Sequence, residues 1–516
     1  MRGDCGRFIR PFGNGSLFVA VALVGILAGF LTIGFAPPAQ ALPSFARQTG
    51  QPCGTCHTDF PFLTPFGRRF KLLGYTTGGG PYKTTLFSSS AATDARAEFD
   101  KLRGYANEVA PPAPAGEKGW VPPISMMAII GNTHTQVPSV APPTDPYQPN
   151  DNTVLSPFSV FWGGAITSNV GAFVQGTYSS PDPLSSLTGN PADQFKHTWS
   201  WDNADVRYAN TANIAGLDVI YGITANNNPT VQDLWNTTPG WSFPQAASTL
   251  ANTPAASTLI EGAFAMRVGG VGVYTMINDM LYLELTGYKT LGFSQQNALG
   301  INPFDGPGLF DGVAPYWRVA LEPHWGPHTF MLGTYGMIAN VHPWIDNTFV
   351  LGTTGTVPLS DRFTDIGIDS QYQYQGPNYW VTLRANYIRE YQRLDASFAS
   401  FAAANPTNEL NSLKLTGSLA FGANNRIVLT GQYFNVWGSP DANLFADAAG
   451  FSNMSPNSDG WMAELAYIPF GASKAPGWPW FNARIGLQYI YYNKFNGTMV
   501  NAHDNNTLFL HAWLAM

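Results

Sequence analysis

Charge is scarce in this chain. Asp, Glu, Lys and Arg make up 11% of its 516 residues, against roughly a quarter in ordinary soluble domains. The 26 Lys and Arg are outnumbered by 33 Asp and Glu, for a formal net charge of -7, so the basic footprint of a nucleic-acid partner is missing. Long apolar runs are as rare. One extends from Leu17 to Phe35, and after it none reaches the ~18 residues of a spanning helix. Cysteine is limited to three, too few for a disulfide-stapled fold. No phosphate-binding loop, nucleophile elbow or paired-carboxylate motif is present.

Glycine and aromatic residues are plentiful. There are 53 Gly and 14% Phe, Trp and Tyr, yet the mean hydropathy is only -0.07. Strands that alternate between a lipid face and a polar face average to such a middle value. That alternation is explicit in Asp365-Ile366-Gly367-Ile368-Asp369-Ser370-Gln371-Tyr372, where odd positions are polar or Gly. It recurs with Val381, Leu383, Ala385 and Tyr387 against Thr382, Arg384 and Asn386, and with Leu281, Leu283 and Leu285 against Tyr282, Glu284 and Thr286. Trp317, Val319 and Leu321 against Arg318 and Glu322, and Ile485, Leu487 and Tyr489 against Arg484 and Gln488, repeat it.

The reading is a mainly β protein: an antiparallel outer-membrane barrel of about 16 strands over residues 124–516, in contact with outer-membrane lipid. A soluble sandwich or propeller also alternates, but aromatic residues near strand ends point to membrane girdles. The last strand, Thr507 to Met516, places Leu508, Leu510, Ala512, Leu514 and Met516 on one face, with Met516 where such barrels often end in Phe. Inward charges such as Arg318, Arg384, Arg484, Glu322, Glu464 and Asp369 are expected to form lumen ion pairs that hold the barrel or a plug. The low charge fits either an acidic exterior, where carboxylates lose their charge, or simply long neutral loops.

Residues 1–41 read as a signal peptide: Arg2, Arg7 and Arg10 precede the apolar run, and Ala39-Gln40-Ala41 supplies a cleavage pattern. A membrane anchor is the alternative. Residues 42–76 form a small α-helical segment expected to plug the barrel, and residues 77–123 a Gly/Pro-rich connector with Gly78-Gly79-Gly80, a charged helix around 95–106 and Pro111-Pro112.

The short segment holds Cys53-Gly54-Thr55-Cys56-His57. Cys-x-x-Cys-His is the spacing at which two thiols capture one haem covalently, with the histidine as axial iron ligand. With Cys5 removed in the signal, these are the two remaining cysteines. A disulfide across two residues would close a trivial loop, structural zinc needs four ligands, and a redox dithiol would want a βαβ context. Haem c on Cys53 and Cys56, with His57 on the iron, is the expectation. Thr64-Pro65 caps a helix ending near Leu73, with Gly74 as its stop. Phe66, Phe70 and Leu73 share a face that could cover the porphyrin, and Gly67 permits close approach. Arg68, Arg69 and Lys71 either meet the propionates or stay solvated, with solvation the better expectation for each. No Met and no second His lies between residues 42 and 124. The sixth ligand must then be water, Lys71, or a residue of the body, with Met126, Met127 and His134 nearest in sequence. The remaining histidines, His197, His324, His328, His342, His503 and His511, show no metal-ligand spacing.

These residues resemble the fused cytochrome-porins, outer-membrane monohaem cytochromes of iron-oxidising bacteria. The likeness is carried by Leu42-Pro43-Ser44-Phe45-Ala46-Arg47-Gln48-Thr49-Gly50, by Cys53 to His57, by Leu63-Thr64-Pro65-Phe66-Gly67-Arg68, by Phe70 to Tyr75, and more loosely by Asn226 to Asn236. The resemblance implies oxidation of extracellular Fe(II) and transfer of the electron through one haem c to a periplasmic cytochrome or other carrier. Two alternatives keep the fold: a conduit for another donor or acceptor such as a mineral, an electrode or a cytochrome, and a diffusion porin whose plug bears the haem.

Overall fold

A computed structural model describes residues 43–59, 62–77, 82–83, 118–138, 150–178, 199–229, 233–237, 246–303, 306–345, 348–349, 359–447, 450–471 and 478–516. The expected signal peptide, Cys5, His197 and the helix expected at 95–106 lie outside the described residues.

Period-two patterning gives the result expected of it. Sixteen antiparallel strands close into one barrel. They are β1 (Ile124–Thr135), β2 (Asn152–Ala165), β3 (Val170–Tyr178), β4 (Trp199–Ile214), β5 (Leu217–Asn226), β6 (Val268–Ile277), β7 (Leu281–Thr290) and β8 (Ala314–Leu321). The second half comprises β9 (His328–His342), β10 (Asp361–Gln375), β11 (Tyr379–Arg393), β12 (Thr407–Phe421), β13 (Ile427–Gly438), β14 (Ser458–Tyr467), β15 (Asn482–Lys494) and β16 (Thr507–Ala515). Each strand pairs with its sequence neighbour, and β16 closes on β1 from Thr507 opposite Thr135 to Ala515 opposite Met127. Closure leaves no unpaired edge, which a bilayer requires.

The two ends differ. Tight turns join β4 to β5 through Ala215-Gly216, β6 to β7 through Asn278 and Asp279, and β12 to β13 through Ala423–Asn425. Ala215, Asn278, Asp279, Asn424 and Asn425 adopt positive φ there, the geometry that Asn and Asp tolerate best. Longer connections, such as those from β5 to β6 and from β7 to β8, join the strands at the other end. Short turns face the periplasm in outer-membrane barrels, so both β1 and β16 have their terminal ends on the periplasmic side.

Outward positions form an apolar belt: Val271 and Leu285 are 66% and 59% exposed, which only lipid makes favourable for such a row. Trp199, packed on Phe158 and Tyr178, marks the outer rim. Trp325, His328, Tyr374 and Tyr379 stack at the periplasmic rim. Girdles of this kind sit at the two headgroup levels, and with the closed wall and apolar belt they place the protein in the outer membrane.

Inward positions are polar yet buried, because two segments fill the lumen. The first is the N-terminal segment, with helices α1 (Pro43–Thr49), α2 (Cys53–Cys56) and α3 (Pro65–Leu72). The second is the β5–β6 connection, which folds inward. The N-terminal segment touches much of the circumference of the periplasmic half. Ser44 N donates to Ser125 Oγ on β1 (2.9 Å), Ala165 N at the end of β2 donates to Gln48 Oε1 (3.1 Å), and Tyr75 Oη donates to Asp205 on β4 (2.6 Å). Tyr274 Oη of β6 donates to the Leu72 carbonyl (2.6 Å). Gly171 of β3 is needed for this fit, since a Cβ there would lie 2.0 Å from the Gly74 carbonyl oxygen.

One sequence expectation changes here. Arg68, Arg69 and Lys71 are not solvated. Arg68 bonds Glu322 (2.9 Å) and Gln373 (3.0 Å), Arg69 pairs with Asp279, and Lys71 donates to the Asp233 carbonyl (3.3 Å). A helix inside a lumen meets wall charges where a surface helix would meet water. Within the connector, Tyr82–Lys83 pairs in parallel with Lys118–Trp120, so it carries a small sheet of its own.

Ile368, on the lipid face at the middle of β10, is 56% exposed. Ile368→Arg is expected to cost about 2–4 kcal/mol of folding free energy in a bilayer, measured by urea titration of protein refolded into vesicles.

Candidate functional site

The Cys-x-x-Cys-His turn is held by its own neighbours. Cys53–Cys56 forms a single helical turn, and His57 leaves it in extended conformation. Thr64 ties the turn to α3: its N–H donates to the Cys56 carbonyl (2.9 Å), its Oγ1 donates to the Thr55 carbonyl (2.5 Å), and it accepts from Gly67 N (3.1 Å) as the expected N-cap. Gly67 then lies against the turn, since a Cβ there would stand 2.3 Å from the Cys56 carbonyl oxygen. The expected close approach at Gly67 is real, and it is made to the backbone of Cys56.

Cys53 is buried and Cys56 half-buried, both as thiols. Burial, and secondarily the adjacent Cys53, pushes the Cys56 thiol up to about 12. A redox dithiol works through a lowered pKa, so this environment disfavours that alternative. It suits thioether bonds, which carry no charge. The donor set therefore fits a covalent haem: Cys53 and Cys56 would hold it and His57 would ligate its iron.

Around the turn the segment is bolted to the wall. Asp59 pairs with Arg484 of β15, Thr58 Oγ1 bonds Thr382 Oγ1 of β11 (3.1 Å), and Trp478 Nε1 donates to the Gln51 carbonyl (3.0 Å). Arg384 of β11, expected in an ion pair, stacks instead over the Phe62 ring at 3.1 Å from its centroid and donates to the Asn236 carbonyl (3.2 Å). The expected ion pairing of the other inward charges is present: Glu322 with Arg68, Arg318 with Asp369, and Arg484 with Glu464 (2.5 Å). The apolar face of α3 is divided. Phe66 and Leu73 join a wall cluster with Trp235, Tyr282, Met276 and Met331, on which Cys56 packs. Phe70 instead packs edge-on against Phe45, at 5.0 Å between centroids.

The residues nearest in sequence for a sixth ligand separate in space. His134 faces outward near the outer rim, with Nδ1 2.7 Å from Asp151. Met126 is outward and exposed, while Met127 points inward among Ile129, Ala246, Phe509 and Trp513. Met276 and Met331 come from the wall into the Cys56 cluster. Their inward parity on alternating strands was a signal for burial but not for this neighbourhood.

The second insert covers the site. Trp235, buried, donates its Nε1 to Glu322, the same carboxylate that Arg68 uses. Thr237 bonds Asp369, and Asp233 lies 3.6 Å from Arg318. Farther along, Ala246 O accepts from Gln488 of β15 (2.8 Å) and Ser248 bonds Thr133 of β1 (2.6 Å). Leu259 N and Ile260 N donate to Glu390 and Asp365, and Glu261 pairs with Lys414. The described residues of this insert thus touch β1, β8, β10, β11, β12 and β15, contacts that no spacing in the sequence signals.

No protein-family model matches the chain, and no curated relative was found. Among solved structures, Salmonella typhi OmpF in complex with daunomycin aligns at 9% identity, covering 76% of this chain and 97% of that one, with a TM-score of 0.42. The outer membrane channel DcaP of Acinetobacter baumannii aligns at 10% identity over 76% and 96%, with a TM-score of 0.39. Pseudomonas putida OprB aligns at 13% over 76% and 92%, again with a TM-score of 0.39. The architecture rests on the barrel's own closure.

Burial, and then the nearby Arg207, lowers Lys71 from 10.5 to about 8. Its folded pKa lies below its unfolded one, so the unfolded chain binds more protons between those values and stability rises with pH across that window. Lys71→Met is expected to stabilise the folded chain at pH 7 by on the order of 2 kcal/mol, with the gain shrinking as pH passes from about 8 to 10.5, read from denaturant midpoints at each pH.

Proposed function

We propose that this outer-membrane barrel carries one haem c on Cys53 and Cys56, with His57 as axial ligand, and uses it to pass electrons from extracellular Fe(II) to a periplasmic cytochrome or other carrier. The observation that supports this reading is the position of the Cys-x-x-Cys-His turn, built into a segment that fills the periplasmic half of a membrane-spanning lumen. A hydrocarbon core about 30 Å thick separates the two compartments, and a redox group inside the wall shortens the path from both sides.

The bound haem would supply one-electron chemistry. The residues of the chain supply its setting. Thr64 and Gly67 hold the attachment turn against α3, and the Asp59–Arg484 pair anchors the strand that follows His57. The described residues of the β5–β6 insert, 233–237 and 246–267, stand between the outer rim and the site, so ferric product formed outside would stay outside.

A diffusion porin with a haem-bearing plug is the second reading. The barrel architecture favours it, since a single closed wall of sixteen strands is also the porin design. The filled lumen weighs towards the conduit. Two measurements separate them. Anaerobic stopped-flow mixing of haem-loaded protein with Fe(II) is expected to give rapid growth of reduced haem bands. Bands that respond to dithionite alone would rule out iron as donor. In planar bilayers the intact protein is expected to conduct poorly, and deletion of residues 43–77 to raise conductance. A wide pore in the intact protein would favour transport.

A further inference from the structure

One pair of buried carboxyl groups takes no part in the chemistry proposed above. Asp365 of β10 and Glu390 of β11 stand directly opposite one another in the outer half of the barrel. Both are buried, and their carboxyl groups hydrogen-bond to each other. Such a bond needs a proton. Asp365 Oδ2 accepts from Ile260 N (2.7 Å), whereas Asp365 Oδ1 is buried and receives no donor among the described residues, which leaves it to carry the proton. Glu390 is the accepting partner, and it also takes Leu259 N on Oε2 (2.5 Å) and Gln392 Nε2 on Oε1 (2.5 Å).

The charges around the pair are engaged elsewhere. Glu261, on the same turn as Leu259 and Ile260, pairs with Lys414 of β12 and accepts from Ser412 Oγ (3.0 Å). Four residues to either side on β10, Asp361 accepts from Ala396 N (2.8 Å) and Asp369 pairs with Arg318. On β11, Arg389 pairs with Glu409 (2.7 Å), and β9 sets the apolar Met337 opposite Asp365. Among the described residues no group of three or more His, Cys, Asp or Glu is arranged to hold a metal ion. The shared proton is what offsets the repulsion of the two carboxylates.

The pair in turn seats the β5–β6 insert, by the N–H groups of Leu259 and Ile260. That turn covers it together with Phe264 and the apolar cluster they share with Met337 and Ile388. We propose that this part of the insert is a proton-held gate: it stays seated while Asp365 and Glu390 share one proton and lifts when that proton is lost. Loss of the proton sets two negative charges in directly opposed cross-strand positions, an unfavourable arrangement in itself. The pair is dry, and a buried second charge must be solvated or paired. Water reaches it when Leu259–Glu261 moves away. The step is acid–base only: the proton passes to bulk water and no electron moves. Its consequence is access, since a lifted turn opens the outer half of the lumen to the extracellular medium while Trp235 stays bonded to Glu322 below. The gate stands on the carboxyl pair and is independent of the haem reading.

The test is amide exchange, read by mass spectrometry on the full chain in lipid vesicles, for the native protein, Asp365→Asn and Glu390→Gln. Each variant keeps an acceptor oxygen for its backbone N–H and loses only the ability to ionise. Barrel closure is checked by heat-modifiable gel mobility. Between about pH 5 and about pH 9, with the intrinsic exchange rate at each pH divided out, the native peptide over residues 256–264 is expected to lose protection by up to about tenfold per pH unit, the limit for one proton. Residues 233–237 are expected to stay protected, and both variants to hold residues 256–264 protected at the alkaline end. A native profile that does not change with pH overturns the inference, as does a correctly closed variant whose profile falls like the native one. If neither variant closes, the two native peptides decide: an equal fall at residues 233–237 overturns the gate. Haem-free and haem-loaded protein are expected to give the same profile, so failure of the haem reading leaves this test intact.

Discussion

Charges pointing into this barrel must be neutralised within a few ångströms, because two inserted segments occupy the space that water would otherwise fill. A buried charge that loses its partner costs about 3–5 kcal/mol, so the positions of wall carboxylates and guanidiniums dictate where the inserts can sit. Glu322 shows the principle. It receives Arg68 from the N-terminal segment and the Trp235 indole from the β5–β6 insert, and so sets the height of both against β8. Arg318 on β8 and Asp369 on β10 hold Asp233 and Thr237 of the insert in the same way. Remove the pairing and neither insert has a defined register in the lumen.

That constraint also gives the Cys-x-x-Cys-His turn its place. The turn is short and has little apolar surface of its own, so it could not fold as an isolated domain of any stability. Its order comes from Thr64 below, Gly67 against its last carbonyl, and the wall pairs at Asp59 and Arg68 on either side. The barrel thus acts as the missing core of a very small N-terminal segment. The same wall separates the segment from lipid and, through the second insert, from the outer rim.

Much of the fold was legible from residue order. Strand after strand, the side chains assigned to lipid by alternation are the exposed ones, as with Leu383 and Ile368, and those assigned to the lumen are buried, as with Arg484 and Asp369. Helix α3 followed from Thr64-Pro65 and Gly74. These signals are local, since period two and helix capping act over a few residues. The environment of α3 was not legible. Arg68, Arg69 and Lys71 looked solvated because surface helices carry such residues, and their partners lie just past the end of β8, on β10, in the β6–β7 turn and in the β5–β6 insert. His134 seemed close to the site because it is close in sequence, yet strand parity points it outward.

The sequence alone determined the β wall, its lipid and lumen faces, and the Cys-x-x-Cys-His spacing, because each is written in spacings shorter than a strand. Only the tertiary structure decided which wall residues the N-terminal segment meets, that the described residues of the β5–β6 connection turn inward, and that Arg484 joins Asp59 to Glu464 with His511 beside it. The wall residues lie on the last three strands, which pair in sequence order, and Asp59 reaches them because the N-terminal segment sits inside the lumen. No local pattern encodes such a meeting. It follows from the seat of that segment within the ring, which sets residues far apart in sequence against one another.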